Sequence, residues 1–264
     1  MAQTPRISAS ELLDKNLGKR TLMMITTGLF HRIKSYLSVR KLIQPLHAGQ
    51  RGIFIDCGGY DGCSAVKFMV ANPKFHSISF EPNPELWRYY KNIPTTLIKK
   101  GVSDKRKNMD FFIDHIDADG SSCIPGKTII HGSPEENANC RRINIDCVSI
   151  AELLTDLRGS YDRIVLKLDV EGSEYEILDS LLSLNMIGEI DKLYAEFHWK
   201  KCGFSEERHT KLMKALIGRL DINEWDGRDF AIHLRGPEKK QWRDDLIASV
   251  FSDISVYQSV KIST

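Results

Sequence analysis

No two cysteines in this chain stand in CxxC spacing, which removes a zinc-ribbon reading. The six are Cys57, Cys63, Cys123, Cys140, Cys147 and Cys202. Two of them flank a glycine-rich turn where a disulfide would be awkward. Reduced thiols in a cytoplasmic protein are therefore expected. Long apolar runs are also missing. The stretch Thr21 to Phe30 is too short to span a bilayer, and it carries three threonines and a glycine. No signal peptide is read at the start. Charge of one sign is absent too. The net charge of +2 gives no global electrostatic case for nucleic acid or an anionic membrane. An aromatic-proline base-flipping motif such as NPPY does not occur, which weighs further against nucleic acid as acceptor. Internal repeats and low-complexity tracts are lacking.

What is present suits a globular protein with a sizeable core: 42% hydrophobic and 27% charged residues. Residues 1–50 read as an N-terminal helical extension, apolar at mixed three- and four-residue spacing from Leu22 to Leu46. Residues 51–264 read as one large domain. The domain is organised around Gly52 to Gly62, an apolar run that ends in an acid and a glycine turn. Its apolar strand, Ile53 to Ile55, is expected to be covered on both faces.

The elements then alternate. A helix is predicted over Ser64 to Ala71, closed by Asn72-Pro73. A strand follows at Ile78 to Phe80, and Pro84 opens a helix through Tyr90. Thr96 to Ile98 is a strand, followed by a turn at Gly101 to Asp104. Met109 to Ile113 is a strand, and Ile143 to Val148 alternates like an edge strand. Asp114 to Arg142 between them has little periodicity and reads as a lid. Ser149 with Glu152, and Ser173 with Glu176, have capping-box spacing. Arg163 to Val170 and Ile190 to Phe197 are strands, Ser205 caps a helix to about Ile217, and Phe230 to Leu234 is a late strand. A last helix is placed at Gln241 to Val250. This β-α-β order predicts an α/β fold with a doubly wound, mostly parallel sheet and helices on both faces.

Ligands of such sheets sit at the carboxyl ends of the strands. Here those ends carry Asp56, Glu81, Ser103, Asp169 and Glu196, an acidic rim. A phosphate-rich ligand wants basic groups and helix N-termini instead. A cofactor with a sulfonium, an ammonium and a ribose diol, as in S-adenosylmethionine, suits carboxylates. The glycines Gly58, Gly59 and Gly62 do not form the dinucleotide G-x-G-x-x-G pattern, because Tyr60 stands where the second glycine is required. Glu81, at a strand end, can accept hydrogen bonds from both ribose hydroxyls. A hydroxyl acceptor profits from a general base, and His198 and Asp169 are the candidates. Lys167 shares a strand face with Asp169 and is expected to pair with it or with another acid. Asp169 and Glu196 are compatible with a divalent cation, but no dense DxD-type cluster occurs and a metal is not expected.

The blocks DCGGYDG (Asp56 to Gly62), FEPN (Phe80 to Asn83), Val102-Ser103-Asp104, Ser121-Ser122 and KLDVEGSE (Lys167 to Glu174) together resemble the FkbM family of methyltransferases. The resemblance runs in order from about Arg51 to His198. Gly59 stands where alanine is common, and Cys123 where leucine is common. The family implies a class I, Rossmann-like, S-adenosylmethionine-dependent enzyme, often an O-methyltransferase on sugars or natural products. It implies cofactor contacts at Asp56, Gly58, Gly59, Tyr60, Gly62, Glu81, Asn83, Ser103, Asp104 and Ser122. Asp169 would lie beside the transferring methyl group. A small-molecule or glycan acceptor is expected. The rivals are a non-catalytic binding protein on the same fold and an NAD-type oxidoreductase, and Tyr60 with the acidic rim speaks against the latter.

Overall fold

The computed structural model describes residues 51–114, 118, 120–125, 127, 140–224 and 237–262. The predicted N-terminal helices and the strand at Phe230 to Leu234 lie outside these residues.

The strand β1 (Gly52–Cys57) leads into α1 (Cys63–Ala71), then β2 (His76–Phe80) and β3 (Thr96–Ile98). A small insertion follows, of β4 (Gly101–Ser103), β5 (Lys107–Ile113) and β6 (Arg141–Ser149). Next come α2 (Ile150–Arg158), β7 (Arg163–Leu168), α3 (Glu174–Ser183), β8 (Lys192–Ala195), α4 (Glu206–Leu216), β9 (Ile222–Glu224) and α5 (Pro237–Val250). The main sheet has the order β3-β2-β1-β7-β8-β9, and every pairing in it is parallel. The chain reverses direction across the sheet between β1 and β7, so a crevice opens at their carboxyl ends.

Alternation along the central strands puts helices on both faces. Ile53, Ile55, Ile164 and Leu166 pack with residues of α2, α3 and α4. Phe54 and Val165 pack with α1 and with Leu246 and Ile247 of α5. Phe54 stacks on Phe68 of α1, with ring centroids 4.1 Å apart. This is the expected doubly wound α/β architecture of a Rossmann-like methyltransferase fold.

Four local expectations are corrected. The segment after Pro84 forms only a short 3-10 helix, Trp87–Tyr90. Gly101 to Ser103 is a strand rather than a turn, because it pairs in parallel with β6. That makes β6 the central strand of the order β4-β6-β5, not an edge. Its alternation reflects one solvated face of a small sheet. Finally, Ser173 precedes α3 without a side-chain cap bond. Residues 258–260 also have a defined place: Gln258 Nε2 donates to the Ile93 carbonyl at 2.9 Å, and Val260 N donates to Thr96 Oγ1 at 3.0 Å.

The caps predicted at Ser149 and Ser205 hold. Ser149 accepts from Glu152 N and Ser205 from Arg208 N. Replacing Ser205 with alanine leaves that amide without its cap and is expected to cost about 1 kcal/mol of folding stability, read from a urea midpoint.

Candidate active site

The turn after β1 is built for close approach. Gly58 has φ +79, and a Cβ there would lie 1.8 Å from the Asp169 carbonyl oxygen. Only glycine lets the two strand ends meet. The amides of Gly58 and Gly59 both donate to the Phe80 carbonyl, at 3.2 and 3.0 Å. The Gly62 amide donates to the Gly59 carbonyl at 2.8 Å. Tyr60 N donates to Glu81 Oε2 at 2.8 Å. These amides are therefore engaged within the protein and do not form the anion-binding cradle of a dinucleotide site.

Glu81 is 4% exposed and is held from both sides. Its second oxygen accepts from Asn83 N at 2.7 Å. Each carboxylate oxygen keeps a lone pair for a further donor. Burial raises its pKa to about 8, against the pull of the Asn83 and Tyr60 amides. Asn83 is fully buried, and its Oδ1 accepts from Glu85 N at 3.0 Å. Its Nδ2 has no hydrogen-bond partner. A spare buried donor beside a carboxylate with spare acceptor capacity fits a diol.

Asp56 lies in β1 itself, directly opposite Lys167 of β7. It is fully buried. Lys167 Nζ sits 3.2 Å from Asp56 Oδ1, 3.2 Å from Asp169 Oδ2 and 2.7 Å from the Gly58 carbonyl. Burial alone would lower the lysine pKa, but Asp169 and Asp56 outweigh it and raise it. The expected ion pair of Lys167 is therefore present, and it includes both acids. Asp56 braces the turn from below and presents no exposed surface.

At the ends of β7 and β8 the acids converge on His198. Its Nδ1 lies 3.0 Å from Glu174 Oε1. Its Nε2 lies 3.3 Å from Glu171, 3.4 Å from Glu196 and 3.7 Å from Asp169. Burial lowers its pKa, but the contact with Glu174 and the close carboxylates of Glu196 and Glu171 overcome this and hold it at about 10. The exposed atoms of the cluster belong to the acids: the side chains of Asp169 and Glu196 are 21% and 37% exposed, and that of His198 is 1%.

The remaining expected contacts are less direct. Ser103 Oγ donates to Asp104 Oδ1 at 2.9 Å, and Asp104 pairs with Lys107 at 2.8 Å. Both side chains are thus engaged within the β4-β5 corner. Ser122 Oγ donates to the Glu171 carbonyl at 2.6 Å, and Lys127 pairs with the Glu171 carboxylate. The described part of the predicted lid is therefore anchored on the turn after β7, and most of the rest lies outside the described residues.

Sequence reasoning passed over Glu174, Glu171 and Lys127. Glu174 is fully buried and accepts from Val170 N at 3.0 Å and Gly172 N at 2.9 Å, as well as facing His198. Its only sequence signal was its place in the KLDVEGSE block. Lys127 sits in a stretch without periodicity.

The description "Methyltransferase FkbM domain" belongs to the family model that matches residues 56–223. The chain is a member of the FkbM methyltransferase family. No curated protein and no solved structure gives a significant match. The matched span includes the glycine turn, Glu81, Asp169 and His198, so the family's domain and the crevice described above coincide. Among the described residues, no helix of this methyltransferase is long and apolar enough to cross a membrane.

Proposed function

We propose that this methyltransferase uses S-adenosylmethionine and transfers the methyl group to a hydroxyl oxygen, with sugar or glycan hydroxyls as the acceptor class. The observation that carries the reading is the Glu81–Asn83 pair. A buried carboxylate fixed by two amides, next to the unpartnered Nδ2 of Asn83, supplies the acceptors and donor that a ribose diol requires. The engaged amides of the glycine turn and the acidic rim oppose a pyrophosphate-bearing cofactor. When bound, S-adenosylmethionine supplies an electrophilic methyl carbon.

The chain's own residues do the rest. Glu81 and Asn83 hold the ribose. Gly58, Gly59, Tyr60 and Gly62 form the wall that the methionine end lies against, and Asp56 with Lys167 keeps that wall in place. Ser103 and Asp104 border the adenine side, and Ser122 closes over the site. Methyl transfer is an in-line displacement, so orientation contributes much of the acceleration. Asp169 receives the acceptor hydroxyl through its partly exposed carboxylate and takes the proton. His198 stands behind it and positions the acids.

A glycoside and glycan panel, followed by release of S-adenosylhomocysteine, tests the reading. Turnover is expected with a hydroxyl acceptor, falling at least roughly 100-fold in Asp169→Ala. Wild-type turnover in both Asp169→Ala and His198→Ala would remove these residues from the chemistry.

A further inference from the structure

We infer that Asp169, Glu196 and His198 form a binding site for one divalent cation of the Mn2+ class. One ligand atom from each of the three lies within 4.8 Å of the others. Asp169 and Glu196 follow adjacent strands, β7 and β8, so the sheet itself sets their separation. Asp169 Oδ2 is held by Lys167, which leaves Oδ1 facing His198 at 3.7 Å.

His198 provides the independent sign. Its Nε2 is buried and has no hydrogen-bond partner, although three carboxylates stand within 3.7 Å. The other ring nitrogen is fixed by Glu174, which two backbone amides lock in turn. A carboxylate on the far nitrogen is how proteins orient a metal-ligating histidine and leave Nε2 for the ion. Glu171 is engaged by Lys127 and stays a neighbour.

Two carboxylates and a neutral imidazole carry the charge that balances a dication. Mixed nitrogen and oxygen ligands favour Mn2+, Fe2+ or Zn2+ over Mg2+, which prefers oxygen alone. Three protein ligands leave positions open for water and an acceptor oxygen. The Nε2 proton is released to solvent as the ion enters. The ion's role rests on the proposed reaction: it would take the acceptor hydroxyl as a ligand and lower its pKa, so that Asp169 takes the proton more readily. Binding of the ion does not depend on that reading.

The test uses the full chain, freed of metal with a chelator and titrated with MnCl2. Free Mn2+ is read by electron paramagnetic resonance, and S-adenosylhomocysteine binding is measured calorimetrically on the same samples. One Mn2+ per chain is expected. Glu196→Gln, at a partly exposed position, should weaken it at least tenfold with an unchanged melting temperature. Glu174→Gln should weaken it roughly 10- to 100-fold by freeing the ring. No stoichiometric Mn2+ binding, or binding that Glu196→Gln leaves unchanged, overturns the site. Mn2+ binding without S-adenosylhomocysteine binding upholds the site and sinks the cofactor reading. The reverse result sinks the site alone.

Discussion

Replacing Lys167 with methionine lowers folding stability by about 3–5 kcal/mol, the range for breaking a buried ion pair by removing one partner. The lysine is 1% exposed and lies within 3.2 Å of both Asp56 and Asp169. Methionine keeps much of the volume but leaves Asp56 fully buried with no cation. Two acids would then face each other at the strand ends, and the Gly58 carbonyl would lose its donor. The double variant Lys167→Met with Asp56→Asn should recover part of the loss, because the deepest uncompensated charge is gone. A double-mutant cycle from denaturant midpoints measures that coupling. Additive losses in the cycle would show that the two side chains act independently.

The second large effect concerns Glu81. Exchanging it for glutamine is expected to weaken S-adenosylhomocysteine binding roughly 10- to 100-fold, about 1.4–2.8 kcal/mol. Both Glu81 oxygens accept backbone amides, and glutamine offers one oxygen only. Its amide group would face a donor and turn the ribose acceptor into a second donor. The raised pKa adds a pH signature. With a pKa of about 8, Glu81 is largely protonated near neutrality in the cofactor-free protein. A ligand that needs the carboxylate binds more tightly as pH rises towards 8, by up to about tenfold per pH unit below that point. The glutamine variant should lack this slope. Stability has the opposite sign: the unfolded chain loses this proton near 4.5, so the contribution is full below that pH and is lost as pH climbs through 8.

These residues also mark how far the sequence could be read. β1 and β7 were legible because both are apolar runs ending in an acid and a glycine turn, a pattern with few other solutions. Glu81 was legible from its place at the end of β2. Ser149 and Ser205 were legible because a cap is a local device. The failures are non-local. β4 is three residues long and becomes a strand only through β6, which is distant in sequence. Ser173 has the spacing of a cap, but Glu174 takes the free amides around the turn instead. His198 was named, with Asp169, as a candidate base. Its encirclement by acids from three segments follows from the sheet order, which brings β7 beside β8. Asp56 was read as a rim acid, and register with Lys167 explains its burial.

One titration bears most directly on the central claim that the β1–β7 crevice holds S-adenosylmethionine. Calorimetry of the full chain with S-adenosylhomocysteine should give one site per chain, with affinity reduced in Glu81→Gln and no competition from NAD. Absence of binding, or binding of NAD in its place, would contradict the account.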